Sequence, residues 1–161
     1  MPELSVKSVE YYYATMDDLP GQAAALLSIL SEQGIDMQAF SVVPMGPSQT
    51  QIMIFPSEPS KLVAMAKRAN LEIVGPQYAL LVQGDNELGA LVDLHEKLAA
   101  ADVNIYASSG VSDHTGGFGY LIYVRPEDFK KAATVSGVAN ARSWHPKAVS
   151  KTHGPHGKQG T

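Results

Sequence analysis

Asp17-Asp18-Leu19-Pro20-Gly21 stands between a run of β formers, 9–14 (Val-Glu-Tyr-Tyr-Tyr-Ala), and a stretch whose apolar residues Ala23, Leu26, Leu27 and Leu30 recur at helical spacing. The pattern returns 68 residues later. Asp85-Asn86-Glu87-Leu88-Gly89 has the same length, the same leading aspartate and the same closing glycine. Taken singly, each loop reads first as a helix start with a glycine for close packing. Such a loop can also hold a small zwitterion. Unpaired N–H groups at a helix start favour a carboxylate, and the loop's own carboxylates favour an ammonium.

Outward from the first loop, Pro20 suits the first turn of a helix running from about 20 to 33, where its missing N–H costs nothing. Gly34 ends that helix as a left-handed cap would. Ile35, Met37 and Ala39 alternate with Asp36, Gln38 and Phe40, the pattern of a strand with one face on a core. The stretch 44–48 (Pro-Met-Gly-Pro-Ser) breaks the chain, and 51–55 reads as a third strand. Pro59 opens a second helix to about Asn70, with Leu62, Val63, Ala66 and Ala69 on one side, and 71–74 is a short fourth strand before Gly75-Pro76. The order is β-α-β-β-α-β, the ferredoxin-like arrangement.

The second half repeats this order at the same shift of 68. Tyr12 falls on Leu80, Leu26 on Leu94, Leu30 on Leu98, Ser41 on Ser109, and 52–55 on 120–123. One ungapped register over three strands and a helix points to duplication. Pro126, Glu127 and Asp128 begin the last helix, and the repeat fades after Val135, where 139–142 is a poor strand. The expected fold is α+β: two ferredoxin-like units with antiparallel sheets and helices on one face, at 6–75 and 76–142, followed by a flexible polar tail at 143–161. One copy of about seventy residues is marginal alone, so the two are expected to share a core. Side-by-side pairing would hide the sheet edges, and a homodimer is the expected assembly.

With 161 residues and 45% apolar composition, a core is available. The net charge of −4 and a pI near 5.7 argue against a nucleic-acid surface. No apolar run approaches membrane-spanning length, and the N-terminus lacks the regions of a signal peptide. A soluble, cytoplasmic protein is expected. There is no cysteine, hence no thiolate nucleophile. Asp17 and Asp18 are adjacent, which is poor geometry for two-carboxylate chemistry, and no Ser-His-acid set emerges. A binding module is therefore preferred to an enzyme.

Other residues read more simply. Thr115-Gly116-Gly117-Phe118-Gly119 precedes a strand rather than a helix, so it is a glycine-rich hairpin and not a phosphate loop. His95 replaces Leu27 in the repeat and reads as a partly buried, hydrogen-bonded histidine. His145, His153 and His156 match no structural zinc spacing, His114 has no partner, and no metal or cofactor is expected. The tyrosines at 11–13 read as strand and interface residues.

The β-α-β-β-α-β unit, the Asp-x-x-Pro-Gly lead into the first helix and the Gly34-Ile35-Asp36-Met37 turn resemble the ACT domain. The resemblance covers about 7–140 as two copies. It implies a freestanding regulatory protein that binds an amino acid or similar small molecule and acts on a metabolic enzyme or regulator. An adaptor that uses the pairing of units without a ligand is the alternative. In the family, ligands lie between units, at the first strand–helix loop of one and the second strand of the other. That implies Asp17, Asp18, Leu19, Pro20 and Gly21 with Asp36, Met37 and Gln38. In the second copy it implies Asp85, Asn86, Glu87, Leu88 and Gly89 with Asn104, Ile105 and Tyr106. Asp36 and Asn104 read equally well as polar residues on the solvent side of a strand. Leu88 replaces Pro20 and Asp102 replaces Gly34, so the first copy is the favoured site.

Overall fold

Tyr11, Tyr12 and Tyr13 occupy the middle of the longest strand, Ser5–Asp17 (β1). The structure, a computed structural model, describes residues 4–138. The other elements are Gln22–Glu32 (α1), Met37–Pro44 (β2), Gln49–Pro56 (β3), Pro59–Arg68 (α2), Val74–Asp85 (β4), Val92–Ala100 (α3), Ile105–Ser112 (β5), Gly117–Val124 (β6), a 3-10 turn at Pro126–Asp128 and Phe129–Val135 (α4). The strands make one antiparallel sheet in the order β2-β3-β1-β4-β6-β5. The fold is α+β, with two ferredoxin-like units.

Strand side chains alternate between faces, so each strand supplies two cores. On one face, Tyr12, Ile52 and Ile54 pack on Leu26 and Leu30 of α1 and on Leu62 and Met65 of α2. On the same face, Leu80, Val82 and Ile122 pack on Leu94 and Leu98 of α3 and on Phe129, Ala132 and Ala133 of α4. Among the described residues the other face carries no helix, yet Val9, Tyr11, Phe55, Ala79, Leu81, Leu121 and Tyr123 form a third buried cluster there. The Tyr11 ring stacks on Phe55 at 4.9 Å and meets Tyr123 edge-on at 5.7 Å. Residues of β2 and β5, the two ends of the sheet, line a common cleft on this side. The sheet therefore curls around its helix-free face. Burial, reinforced by neighbouring tyrosines and a hydrogen bond with Tyr106, pushes the Tyr11 phenol well above its ordinary range. Burial and then the Glu10 carboxylate push Tyr12 up to about 12. Tyr123 is also raised by burial, and the Ser41 hydroxyl beside it offsets part of that, although Ser41 Oγ makes no hydrogen bond of good geometry.

Several expectations need correction. Residues 71–73 are not a strand; the fourth strand begins at Val74 and runs on to Asp85 without interruption. Val74 lies opposite Tyr13 and Gln77 opposite Tyr11, whereas farther along Ala79 lies opposite Val9 and Gln83 opposite Ser5. The start of β4 thus completes the first unit, and the start of β1 completes the second. Because β1 and β4 must each serve two units, they are longer than the other strands. The first helix starts at Gln22 rather than Pro20, because Gly21 takes the left-handed conformation (φ 88°) and interrupts the turn. Leu27 and Ala69 are exposed, and Met65 instead completes the buried stripe of α2. The repeat is not ungapped to its end. Pro59 and Pro126 begin matching helices, and Leu71 N–H to Ala66 O is matched by Val138 N–H to Ala133 O, both at a shift of 67. One residue is therefore missing before the last helix. The weak strand at 139–142 and the tail at 143–161 lie outside the described residues.

The exchange of strand ends makes a prediction. Beginning the chain at Glu10 removes Val6 and Val9, which pack on the second unit's side of the sheet and on the shared cluster. A loss of about 2–4 kcal/mol is expected. Hydrogen exchange should show it first at β4 and β6, which lie more than fifty residues away in sequence. Equal protection of β4 in the shortened chain would refute the exchanged arrangement.

Candidate functional site

The two acidic loops sit at opposite ends of the sheet, each tied to the hairpin of its own unit. Asp18 N–H donates to Ser48 O (2.9 Å), and Asn86 N–H donates to Gly116 O (2.7 Å). Leu19 N–H to Asp17 O and Glu87 N–H to Asp85 O repeat the same turn at 2.9 Å. Gly21 and Gly89 have φ of 88° and 81°. A Cβ at Gly21 would meet nothing within 4 Å, and one at Gly89 would only touch Val92 at 3.9 Å. These glycines serve the backbone turn, not close packing as expected. Gly34 (φ 66°) is the expected left-handed cap, and Asp102 (φ 56°) keeps the same turn where it replaces glycine.

The second-strand residues are elsewhere. Asp36 precedes β2 at the end remote from Asp17; its Oδ2 accepts from Ser57 Oγ at 2.8 Å, and its carbonyl accepts Ser57 N–H at 2.9 Å. Met37 pairs with Pro56, whereas Pro44 pairs with Thr50 near the loop. Seven strand steps separate them, roughly 23 Å. Gln38 lines the cleft on the helix-free face. Asn104 and Ile105 stand in the same relation to the second loop, since Ile105 pairs with Val124 and Ser112 with Phe118. Within one chain, neither loop meets its own unit's strand start.

What the second loop does meet is a cavity of about 370 Å³. Asn86, Glu87, Gly89, Ala90, Leu91 and Val92 form one side of it, and Gly110, Val111, Ser112, Phe118, Gly119 and Tyr120 form the other. Tyr120 is the principal wall. It lies opposite Gly110 across the β5–β6 ladder, and a Cβ at Gly110 would come within 2.8 Å of its ring. His95 holds it from behind. His95 Nδ1 lies 2.8 Å from Leu91 O, which can only accept, so Nδ1 donates there, and Nε2 lies 3.1 Å from the Tyr120 hydroxyl, which can donate or accept. The half-buried, hydrogen-bonded reading of His95 is correct. The glycine-rich hairpin is also present. Its Asp113 carboxylate accepts from Thr115 Oγ1 (2.7 Å), Thr115 N–H (2.8 Å) and Gly117 N–H (3.0 Å), which hold the carboxyl below its usual range.

The repeat register shows why a cavity forms here. Gly110 corresponds to Val42, Gly119 to Gln51, Ala90 to Gln22, Phe118 to Thr50 and Tyr120 to Ile52. The second unit has removed side chains from the hairpin and set aromatic rings around the space. His95 and Tyr120 correspond to Leu27 and Ile52, so an apolar pair has become a hydrogen-bonded pair. Sequence reasoning took the glycines only as a turn and missed Gly110, Phe118 and Tyr120. The signal was available in the two copies laid side by side.

No protein-family model and no curated protein sequence matches the chain. Solved structures do match. Protein BT0572 from Bacteroides thetaiotaomicron superposes with a TM-score of 0.68 at 15% identity, over 81% of this chain and 87% of that one. The ligand-free regulatory subunit of aspartate kinase from Thermus thermophilus gives 0.58 at 17% identity, over 84% and 93%. The fold is a tandem ACT fold. The match spans nearly the whole of that regulatory subunit. Among the described residues, no helix is long and apolar enough to cross a membrane, and no group of three or more His, Cys, Asp or Glu side chains is placed to hold a metal ion. His145, His153 and His156 lie outside the described residues.

Proposed function

We propose that this protein is a non-catalytic regulator that binds an amino acid in the cavity between the start of α3 and the β5–β6 hairpin. The observation that supports this is the placement of the cavity. It opens at a strand–helix loop whose acidic and amide groups suit an ammonium, beside a helix start whose N–H groups suit a carboxylate. This reading moves the preferred site from the first loop, Asp17–Gly21, to the second, Asp85–Gly89.

A second copy of the chain completes the site. β5 is an edge strand exposed over nearly its whole length and without a charged residue or proline to protect it. A twofold axis through its middle would pair it antiparallel with its counterpart and set the partner's Ile105 opposite Ser112. The partner's Asn104, Ile105 and Tyr106 would then stand at the mouth of the cavity, joining the loop and strand start that one chain keeps apart. Effects of ligand on that interface are the means by which a metabolic enzyme or regulator would be controlled.

The test is a thermal-shift screen of the intact chain against the twenty amino acids, with light scattering at the same concentrations. A ligand that binds only the native state raises the melting temperature, by an amount equivalent to about 2.7 kcal/mol at a hundred times Kd. A dimer and a shift with one amino acid or a small group of them are expected. A dimer with no shift would favour the adaptor reading, and a monomer would remove the second copy from the site.

A further inference from the structure

We infer that the cavity selects an amino acid with an apolar side chain, of the size of leucine, methionine or phenylalanine, over small polar or charged ones. The inference rests on the proposal that the cavity holds an amino acid and adds which class it takes. The side-chain walls beyond the polar loop are Ala90, Leu91, Val92 and the rings of Phe118 and Tyr120. The lining has one carboxylate, Glu87, and no lysine, arginine or histidine. One carboxylate can serve an ammonium. Nothing in the lining offers a cation to an acidic side chain, and a second cation would have no second anion. A volume of about 370 Å³ falls within the range of small-molecule sites and leaves room for more than the glycine portion common to all amino acids.

The apolar rim extends the same surface outward. Val92 at the mouth is about half exposed, and Leu88, in the loop between Glu87 and Gly89, is fully exposed. In the first unit the wall positions are Gln22, Thr50 and Ile52 in place of Ala90, Phe118 and Tyr120. The change toward apolar and aromatic groups is thus confined to the unit with the cavity, and the His95 hydrogen bond fixes Tyr120 in the position where its ring faces the space.

Calorimetric titration of the full-length protein with L-alanine, L-valine, L-leucine, L-methionine, L-phenylalanine, L-serine, L-aspartate and L-lysine tests this. Affinity should rise along alanine, valine and leucine by roughly fourfold per added methylene. Val92→Lys, at an exposed position, places a cation at the mouth and should raise the ratio of aspartate to leucine affinity at least tenfold. If serine, aspartate or lysine binds the natural chain more tightly than leucine does, the selectivity is wrong while the amino-acid site stands. An unchanged ratio in Val92→Lys would likewise overturn it. If none of these amino acids, nor any other of the twenty, gives heat or a thermal shift, the amino-acid reading itself fails and the inference fails with it.

Discussion

Gly110→Val should abolish ligand binding, with at least a hundredfold loss of affinity, while the chain stays folded. The residue lies on the cavity side of β5, directly opposite Tyr120, and even a methyl group there meets the ring at 2.8 Å and Gly119 O at 3.4 Å. Relief requires the ring to swing toward the open space, since His95 and α3 stand behind it. The cavity is then filled both by the new side chain and by the displaced one. The change also gives the second unit the residue that the first unit already has at this position, Val42. Overpacking at such a site costs roughly 1–3 kcal/mol, a fraction of the stability of a domain of this size. Calorimetry reads the affinity and circular dichroism the fold. Retained affinity in a folded Gly110→Val protein would place the ligand elsewhere, the first loop being the next candidate.

Phe55→Ala is expected to lower stability by about 3–5 kcal/mol, the usual range for emptying a fully buried phenylalanine site. Phe55 has no exposed surface, stacks on Tyr11 at 4.9 Å and meets Tyr123 edge-to-face at 6.4 Å. Tyr11 and Phe55 come from the first unit and Tyr123 from the second, so the side chain is common to both. Unfolding should therefore remain a single transition whose midpoint falls as a whole. Chemical denaturation followed by tyrosine fluorescence and by far-ultraviolet circular dichroism checks this. Two separated transitions, with only one moved, would mean that the units do not share the cluster.

The repeat made most of the architecture readable in advance. Helical spacing located Leu26, Leu30, Leu94 and Leu98, and all four are buried. Glycine and proline located the turns. The fourth strand was misplaced for a physical reason: 71–74 has the composition of a strand, but whether it pairs depends on which edge is free. That edge, on β1, is taken by Val74 and Gln77. The helix-free cluster was invisible because alternation says that a face is apolar without saying what covers it. Here the sheet covers itself by curling. The acidic loops were found from the sequence, yet their separation from Asp36 and Asn104 was not, since strand direction decides it. The cavity escaped notice because it comes from side chains that are missing, and a glycine in a strand says little until its counterpart in the other copy is seen to be valine.

The exchanged ends of β1 and β4 have a consequence for the origin of the chain. A single copy of the repeat would leave its sheet one strand short and would present a long first strand projecting beyond its own unit. Two separate copies could finish each other by crossing these projections. Joining the two members of such a pair end to end would give the strand arrangement of this chain. The connection between α2 and β4 is only 69–73, so the second copy is delivered to the first at an effective concentration in the millimolar range, whatever the abundance of the protein. Once joined, the copies no longer had to be identical to meet. One could keep its valine and glutamines while the other lost them, and a symmetric scaffold could thereby come to hold an asymmetric site.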